Sequence, residues 1–491
     1  MSDKTVPTDP PTAEGVILSA ANGDVIRYDA SGLVMRLSDR VIDDIAARLS
    51  LPGQAAGSSA GQGDEGRVPL PDAIDAWDIR AEGEWLRFQA RLPGRQGIRG
   101  FRRHVTGGAI IADGRGPLLA VLGIGGARAA LGWPQAAAPF PYHILAPADD
   151  IGAVGLAGIE VAELRDRLEP VRDYTHEALI AECLLQDRLD RGVALPLYMV
   201  RVETDESTRA GALAGGKAID NLEANALTLT RAAAALGTHA RILAVTLDFA
   251  IEDLSGDPVA YRDGMIALME AVTQRLGQLG FAQPLFLATF DCGTHQITES
   301  PALAGQWELS WNHAAHHLVY AGPGYMFAQD QTARLTDAGR VARAALCAAA
   351  LTQIEGGGDW QCPVIHLAEA EGQIIRLTCA SLGPLAIDPA DPFGAGPAAG
   401  FRLIGGDKGQ KILRVEIDPK DARAVLLHCA QPVPAQGMQV SYAYGAPPGE
   451  GPHPANAGAL CDDWTGVCAD GQILRRWALP AILPVVAGGR T

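Results

Sequence analysis

The histidines, arginines, glycines and aspartates of this chain of 491 residues are the groups whose spacing bears on chemistry. His313, His316 and His317 fall in WNHAAHHLVY. On one helix, His313 with His316 or His317 would share a face and could hold a metal if a carboxylate joined them. No glutamate stands in the H-E-x-x-H arrangement, so surface or packing histidines are the plainer reading and no metal is expected. Gly123, Gly125 and Gly126 follow an apolar run, as in a dinucleotide turn, but Arg128 takes the place of the third glycine and the flanks are strand-like. A glycine turn is the reading, and no cofactor is expected. RLPGRQGIRGFRRH gathers Arg95, Arg99, Arg102 and Arg103 in an acidic chain. Such a run is either a solvated face or a docking surface where guanidinium groups pair two-pronged with an acidic subunit or an anionic glycan. Tyr442, Tyr444 and Trp464 are either platforms for stacking sugars or core fillers. The eight cysteines include no C-x-x-C pair and read as buried thiols.

These groups need elements to hold them, and the chain is too long for one core. A formal charge of -17 argues against nucleic acid or an anionic membrane surface as partner, since both attract basic faces. No apolar stretch reaches the roughly 18 residues of a membrane span, so no membrane insertion is expected. The first residues, MSDKTVPTDPPTAEG, carry no basic n-region and no apolar h-region, so synthesis in the cytoplasm without a signal peptide is expected. Residues 1–67 read as an N-terminal attachment segment ending in a linker at 51–67, with one amphipathic helix at VIDDIAARLS. Residues 68–135 read as a β-rich domain, with Leu86, Phe88, Ala90 and Leu92 alternating onto one face. In 136–355 five apolar runs (143–146, 195–202, 242–247, 285–290 and 325–328) alternate with helical patterns, the signature of a doubly wound parallel sheet. Residues 356–491 return to short strands and read as an antiparallel β-sandwich. The fold class is therefore α/β, a central parallel-sheet domain flanked by β-rich regions.

The succession of strand, LDFAIEDLSGDPVAYRDGM, helix, strand and QDQTARLTDAGRVARAAL resembles the second half of SGNH/GDSL hydrolases, in particular the sialate O-acetylesterase-like branch. There W-x-Q-G-E-x-D precedes Y-x-x-x-(L/M), and D-x-x-H-L-T-x-x-G closes the domain. The resemblance implies a serine at the end of the first strand, activated by a histidine that an aspartate orients. With HILA as first strand, the serine element falls on Ala148, Asp149, Asp150 and Gly155, which puts aspartate at the nucleophile. The second element falls on Leu247 to Asp253, where Phe249 and Ile251 replace the amide and the carboxylate and only Asp253 matches. The closing block puts Gln331 at the acid and Arg334 at the base; a one-residue slip brings in Asp330, but no histidine follows it before Thr336. Arginine stays protonated and cannot take a proton. No catalytic residue is expected, and Asp149, Asp150, Phe249, Ile251, Asp253, Asp330 and Arg334 are degenerate positions.

The C-terminal order of strands is similar to the β-module that follows esterase-like domains in phage receptor-binding proteins, and the whole resembles head spikes of gene transfer agents. That resemblance implies a non-catalytic spike or fibre of a phage-like particle that binds host surface polysaccharide. It also implies other particle proteins as partners, a homo-oligomer, and an extracellular destination reached by lysis. The alternative is an active carbohydrate O-acetylesterase that uses Asp149, Asp150 or Asp330 as base for water.

Overall fold

A computed structural model describes strands within residues 15–36 and then residues 70–488, apart from 72–73, 136, 159, 206, 208, 406–408, 435–436, 469–470 and 472. The helix expected at VIDDIAARLS and the linker at 51–67 lie outside the described residues. The chain divides into two compact units, Met1–Glu65 and Gly66–Thr491. In the first, Gly15–Ser19, Val25–Asp29 and Gly32–Arg36 form an antiparallel meander.

The second unit is built on a seven-stranded sheet. Its strands are β1 (Leu118–Gly125), β2 (Ile144–Pro147), β3 (Leu168–Pro170), β4 (Leu197–Thr204), β5 (Ala240–Asp248), β6 (Leu285–Phe290) and β7 (His317–Pro323). They lie in the order β3-β2-β4-β1-β5-β6-β7, all parallel except β3 on β2. The helices are α1 (His176–Asp190), α2 (Ala210–Leu213), α3 (Lys217–Ala235), α4 (Pro258–Gln278), α5 (Pro301–Asn312) and α6 (Asp337–Glu355). Leu179, Ile180 and Leu184 of α1 and Leu346 and Leu351 of α6 share one core cluster with Leu119, Val121 and Val200 of the sheet. Ile219 and Leu222 of α3 and Leu268 and Val272 of α4 pack in another with Val245 and Leu247. Helices thus cover both faces, as the near-continuous apolar strands require. Asp257 starts α4 by accepting from the Val259 amide at 2.9 Å, and Thr336 starts α6 by accepting from the Gly339 amide at 3.1 Å.

Two strands differ from expectation. The first parallel strand is Leu118–Gly125, inside the segment assigned to the β-rich region, and all eight of its residues are buried because neighbours lie on both edges and both faces. The α/β region therefore begins before residue 118, not at 136. The last strand is His317–Pro323, while Gly324–Met326 is a single 3-10 turn. The sequence suggests one helix through WNHAAHHLVY, but its last four residues, HLVY, open a strand in which Val319, Tyr320 and Ala321 are buried.

Setting β2 and β3 aside, the strands run across the sheet as second, first, third, fourth, fifth. The chain leaves β1 in one direction along the sheet and returns on its other side, so a crevice opens at the carboxyl ends of β1 and β5, the place where open α/β sheets take ligands.

The flanking regions are β-structured and share this core. Ala76–Glu82, Trp85–Arg91, Ile98–His104 and Ile110–Ala112 form an antiparallel sheet whose Phe88, Phe101 and Ile111 pack with Leu118, Leu122 and Met199. After α6, strands from Val364 to Ala487 make one five-stranded and two three-stranded sheets. These are antiparallel except where Val364–Glu371 meets Val486–Ala487. The expected sandwich is thus three sheets, and Val425, Leu427 and Leu483 join the same apolar cluster as Val245.

Candidate functional site

At the carboxyl ends of β1, β5, β6 and β7 lies a cleft open to solvent, with about 110 Å³ of room for water-sized molecules. The turn after β1 shapes one wall. A Cβ on Gly125 would collide with the Asp248 carbonyl, and one on Gly126 would meet the Phe249 ring at 2.9 Å, so the glycines permit close approach of β1 to β5. No helix opens at this turn, and Arg128, which displaced the third glycine of a nucleotide motif, projects into the cleft wall.

Arginine–carboxylate pairs dominate the floor. Arg128 holds Glu252 through Nε to Oε1 at 2.7 Å and Nη2 to Oε2 at 2.9 Å, and Asp291 through Nη2 to Oδ2 at 2.5 Å. Arg343 reaches Asp248 Oδ2 at 2.9 Å and donates from Nε to Thr289 Oγ1 at 3.0 Å. Burial alone would raise the Asp248 carboxyl, but Arg343 and Arg128 hold it below its usual range. Arg340 lies 3.2 Å over the Trp133 ring centre and donates to the Tyr174 carbonyl at 2.9 Å.

Two further titratable groups line the cleft. Burial and the charges of Arg343 and Arg340 push the His176 imidazole well below its usual range, so it stays neutral. Burial pushes the Glu177 carboxyl up, and its Oε1 accepts from Thr246 Oγ1 at 2.6 Å.

A deacylating site needs a hydroxyl or thiol beside a base. Cys347 Sγ does lie 3.6 Å from His176 Nε2, a pairing that the sequence did not suggest. Cys347 does not line the cleft, and burial pushes its thiol up to about 12 while the imidazole is pushed down. The proton therefore stays on sulfur, the reverse of an activated nucleophile. Cys292 lines the cleft, but burial lifts its thiol well above the usual range too. Thr289 is the remaining hydroxyl of the lining, and its oxygen receives Arg343.

The degenerate positions scatter. Asp149 and Asp150 follow β2, not the first strand, so they do not occupy the nucleophile's place. Asp149 forms a buried ion pair with Arg201, and Asp150 reaches Arg172 at 3.3 Å. Phe249 is buried, its carbonyl accepting from Tyr261 Oη at 2.8 Å. Ile251 is half-buried, its amide 3.4 Å from Asp291 Oδ2. Asp253 accepts from the amides of Ala210 at 2.6 Å and Ser255 at 2.8 Å, tying α2 to the loop after β5. Exposed Asp330 accepts from the amides of Thr332 and Arg334. Of the seven, Arg334 alone lines the large cleft, and Phe249 lines a small cavity beneath it.

The surface candidates divide similarly. Arg102 is buried, paired with Asp113 and 3.2 Å from the Leu236 carbonyl, so it is not available as a docking contact. Arg95 donates to Gln186 Oε1 at 2.8 Å, Arg99 to the Gln96 carbonyl at 3.0 Å and Arg103 to the Gly108 carbonyl at 2.9 Å. Tyr442 is a core residue, 1% exposed and 3.3 Å from Tyr325 Oη, which removes it as a sugar platform. Tyr444 is half-buried, and Trp464 is half-buried edge-on against Trp360 at 4.6 Å. His313 caps α5 and His317 begins β7, so the three histidines are not on one helix; His313 Nε2 lies 3.0 Å from His316 Nδ1, and His316 Nε2 lies 3.2 Å from Glu270 Oε2.

Sequence reasoning missed Trp133, His176, Glu177, Asp248, Asp291, Arg340 and Arg343. Asp248 and Asp291 are signalled by their place at the ends of apolar strands; the others come from a two-residue strand, Trp133–Pro134, and from the first two turns of α1 and α6, which carry no local signature.

No family model matches the chain, and no curated protein matches it. Among solved structures, a carbohydrate acetylesterase from Xanthomonas citri is similar at 15% identity, over 82% of this chain and 95% of that one, with a TM-score of 0.46. So distant a likeness adds nothing to the reading of the cleft, which rests on its own geometry.

Proposed function

We propose that this chain is a non-catalytic saccharide-binding protein that receives its ligand in the crevice between β1 and β5. The observation that carries the reading is the state of the cleft's reactive groups. Asp248 and Asp291 are held by Arg343 and Arg128, His176 is a weak neutral base, and the two nearby thiols keep their protons. An open crevice with polar walls and an aromatic face can hold a sugar by hydrogen bonds and stacking with no group able to attack it. The O-acetylesterase alternative draws no support from Asp149, Asp150 or Asp330, none of which lines the cleft. Membership of a spike or fibre, partner proteins of a phage-like particle, homo-oligomers and release by lysis remain part of the proposal on the strength of the sequence resemblance.

Titration calorimetry of the full chain with purified bacterial capsular polysaccharides tests the reading. Saturable binding is expected, weakened about fivefold or more by Trp133→Ala, since one stacking platform contributes roughly 1–3 kcal/mol in nucleic-acid analogues. Binding unaffected by that change, or no binding to any polymer, overturns it.

A further inference from the structure

The charge of the cleft points to the class of saccharide. Four arginines line it in a chain whose formal charge is -17, beside the carboxyl groups of Glu177, Asp248 and Asp291, and Glu252 pairs with Arg128. Asp248 and Asp291 are each engaged by an arginine, and Glu177 faces Thr246. Arg340 has Asp337 at 3.5 Å, but that carboxylate is 93% exposed and so well screened.

Arg334 differs from the other three. Among the described residues, no carboxylate lies within ion-pair distance of its guanidinium. Asp330, four residues before it, feels the Arg334 charge but spends its hydrogen bonds on the turn. Its Oδ1 accepts from the Thr332 amide at 2.8 Å, the Thr332 hydroxyl at 2.7 Å and the Arg334 amide at 3.1 Å. The turn closes through Ala333 at φ +61, a left-handed conformation that a residue with a Cβ adopts at a cost. The result is an exposed guanidinium with five donors on the lining of the crevice, carried by a turn whose backbone Asp330 fixes.

We propose that Arg334 makes the cleft selective for an acidic saccharide, pairing two-pronged with an anionic substituent of the sugar in the cleft that Trp133 and Arg340 also line. This rests on the saccharide-binding reading above. The anion-binding chemistry suits a uronate carboxylate and a sugar phosphate alike. The residue that cannot serve as a base therefore acts as a recognition group.

The test is a calorimetric panel of uronate-bearing, phosphate-bearing and neutral capsular polysaccharides, together with a carboxyl-reduced preparation of each uronate polymer. Wild-type protein is expected to bind an acidic polymer about tenfold or more tighter than its reduced or neutral counterpart, the scale of one charge-assisted pair. Arg334→Gln is expected to abolish that preference while leaving residual binding, and Arg334→Lys to restore part of it. A preference for phosphate over uronate polymers supports the inference and identifies the anion. Equal binding of acidic and neutral polymers, or a preference unchanged by Arg334→Gln, overturns the inference but leaves the saccharide-binding reading intact. Absence of all binding overturns both.

Discussion

At the scale of single residues, the cleft's reactive groups are tuned away from reactivity by burial and ion pairing. The Cys347 thiol, ordinarily near 9.0, is pushed up to about 12, as is that of Cys183. A folded-state value above the unfolded one means the native protein holds these protons more tightly. The stabilisation is complete below pH 9.0 and is lost as pH rises toward 12. Urea denaturation midpoints are therefore expected to hold steady near neutrality and to fall between pH 9 and 12; a midpoint that stays level across that window contradicts the assignment. The same logic predicts that a thiol reagent at pH 8 labels neither Cys347 nor Cys292 before the protein unfolds. Asp149 offers a contrast. It was read as standing in for a nucleophile, yet it neutralises the fully buried Arg201. Asp149→Ala is expected to destabilise the fold toward the lower end of about 3–5 kcal/mol, because the buried guanidinium would keep only the longer ion pair with Glu203 at 3.7 Å. A loss under about 1 kcal/mol, as for an ordinary exposed pair, would show that the pair is not buried in solution.

Secondary elements explain what could and could not be read from the residues alone. Buried parallel strands such as Leu285–Phe290 and the stripe of Tyr261, Met265, Leu268, Met269, Val272 and Leu276 on α4 were legible, since a strand or helix face that must be buried writes its period into the sequence. The first strand is legible as a strand but not as part of the parallel sheet, because LLAVLGIG sits among antiparallel strands with which it shares an apolar face, and only its parallel pairing with β4 and β5 distinguishes it. Misplacing that strand carried the expected nucleophile to Asp149 and Asp150. The error shows why site residues are harder to find than folds: Trp133, His176, Asp291 and Arg343 come together only after four parallel strands are in order. Glycines give the element-scale test. Gly125→Ala forces β1 away from the Asp248 carbonyl and is expected to cost about 1–3 kcal/mol and weaken ligand binding. Gly277→Ala, in α4 with open space around it, is expected to be neutral or to stabilise by up to about 1 kcal/mol. Equal stability changes for the two would contradict the close packing of β1 on β5.

At the scale of the whole molecule, the alternation of apolar runs with helical patterns conveys the broad class, a mixed α/β protein with a parallel sheet and several antiparallel ones. What it could not convey is that the flanking β regions are not separate beads. Phe88 and Phe101 pack with Met199, and Val425 and Leu483 belong to the cluster of Val245 and Leu268. A fragment of residues 66–491 is therefore expected to unfold in a single calorimetric transition, and a fragment ending at 355 to lose that transition because it strips the cover from Val245's cluster; two resolved transitions in the longer fragment would contradict a shared core. The claim on which the account turns is that a crevice suited to a sugar has no means of cleaving an ester within it. Acetate release from an O-acetylated capsular polysaccharide, measured at protein concentrations that saturate binding, addresses it directly. The account predicts saturable binding with acetate appearing no faster than in buffer. Sustained turnover that His176→Ala or Cys347→Ala removes would contradict it.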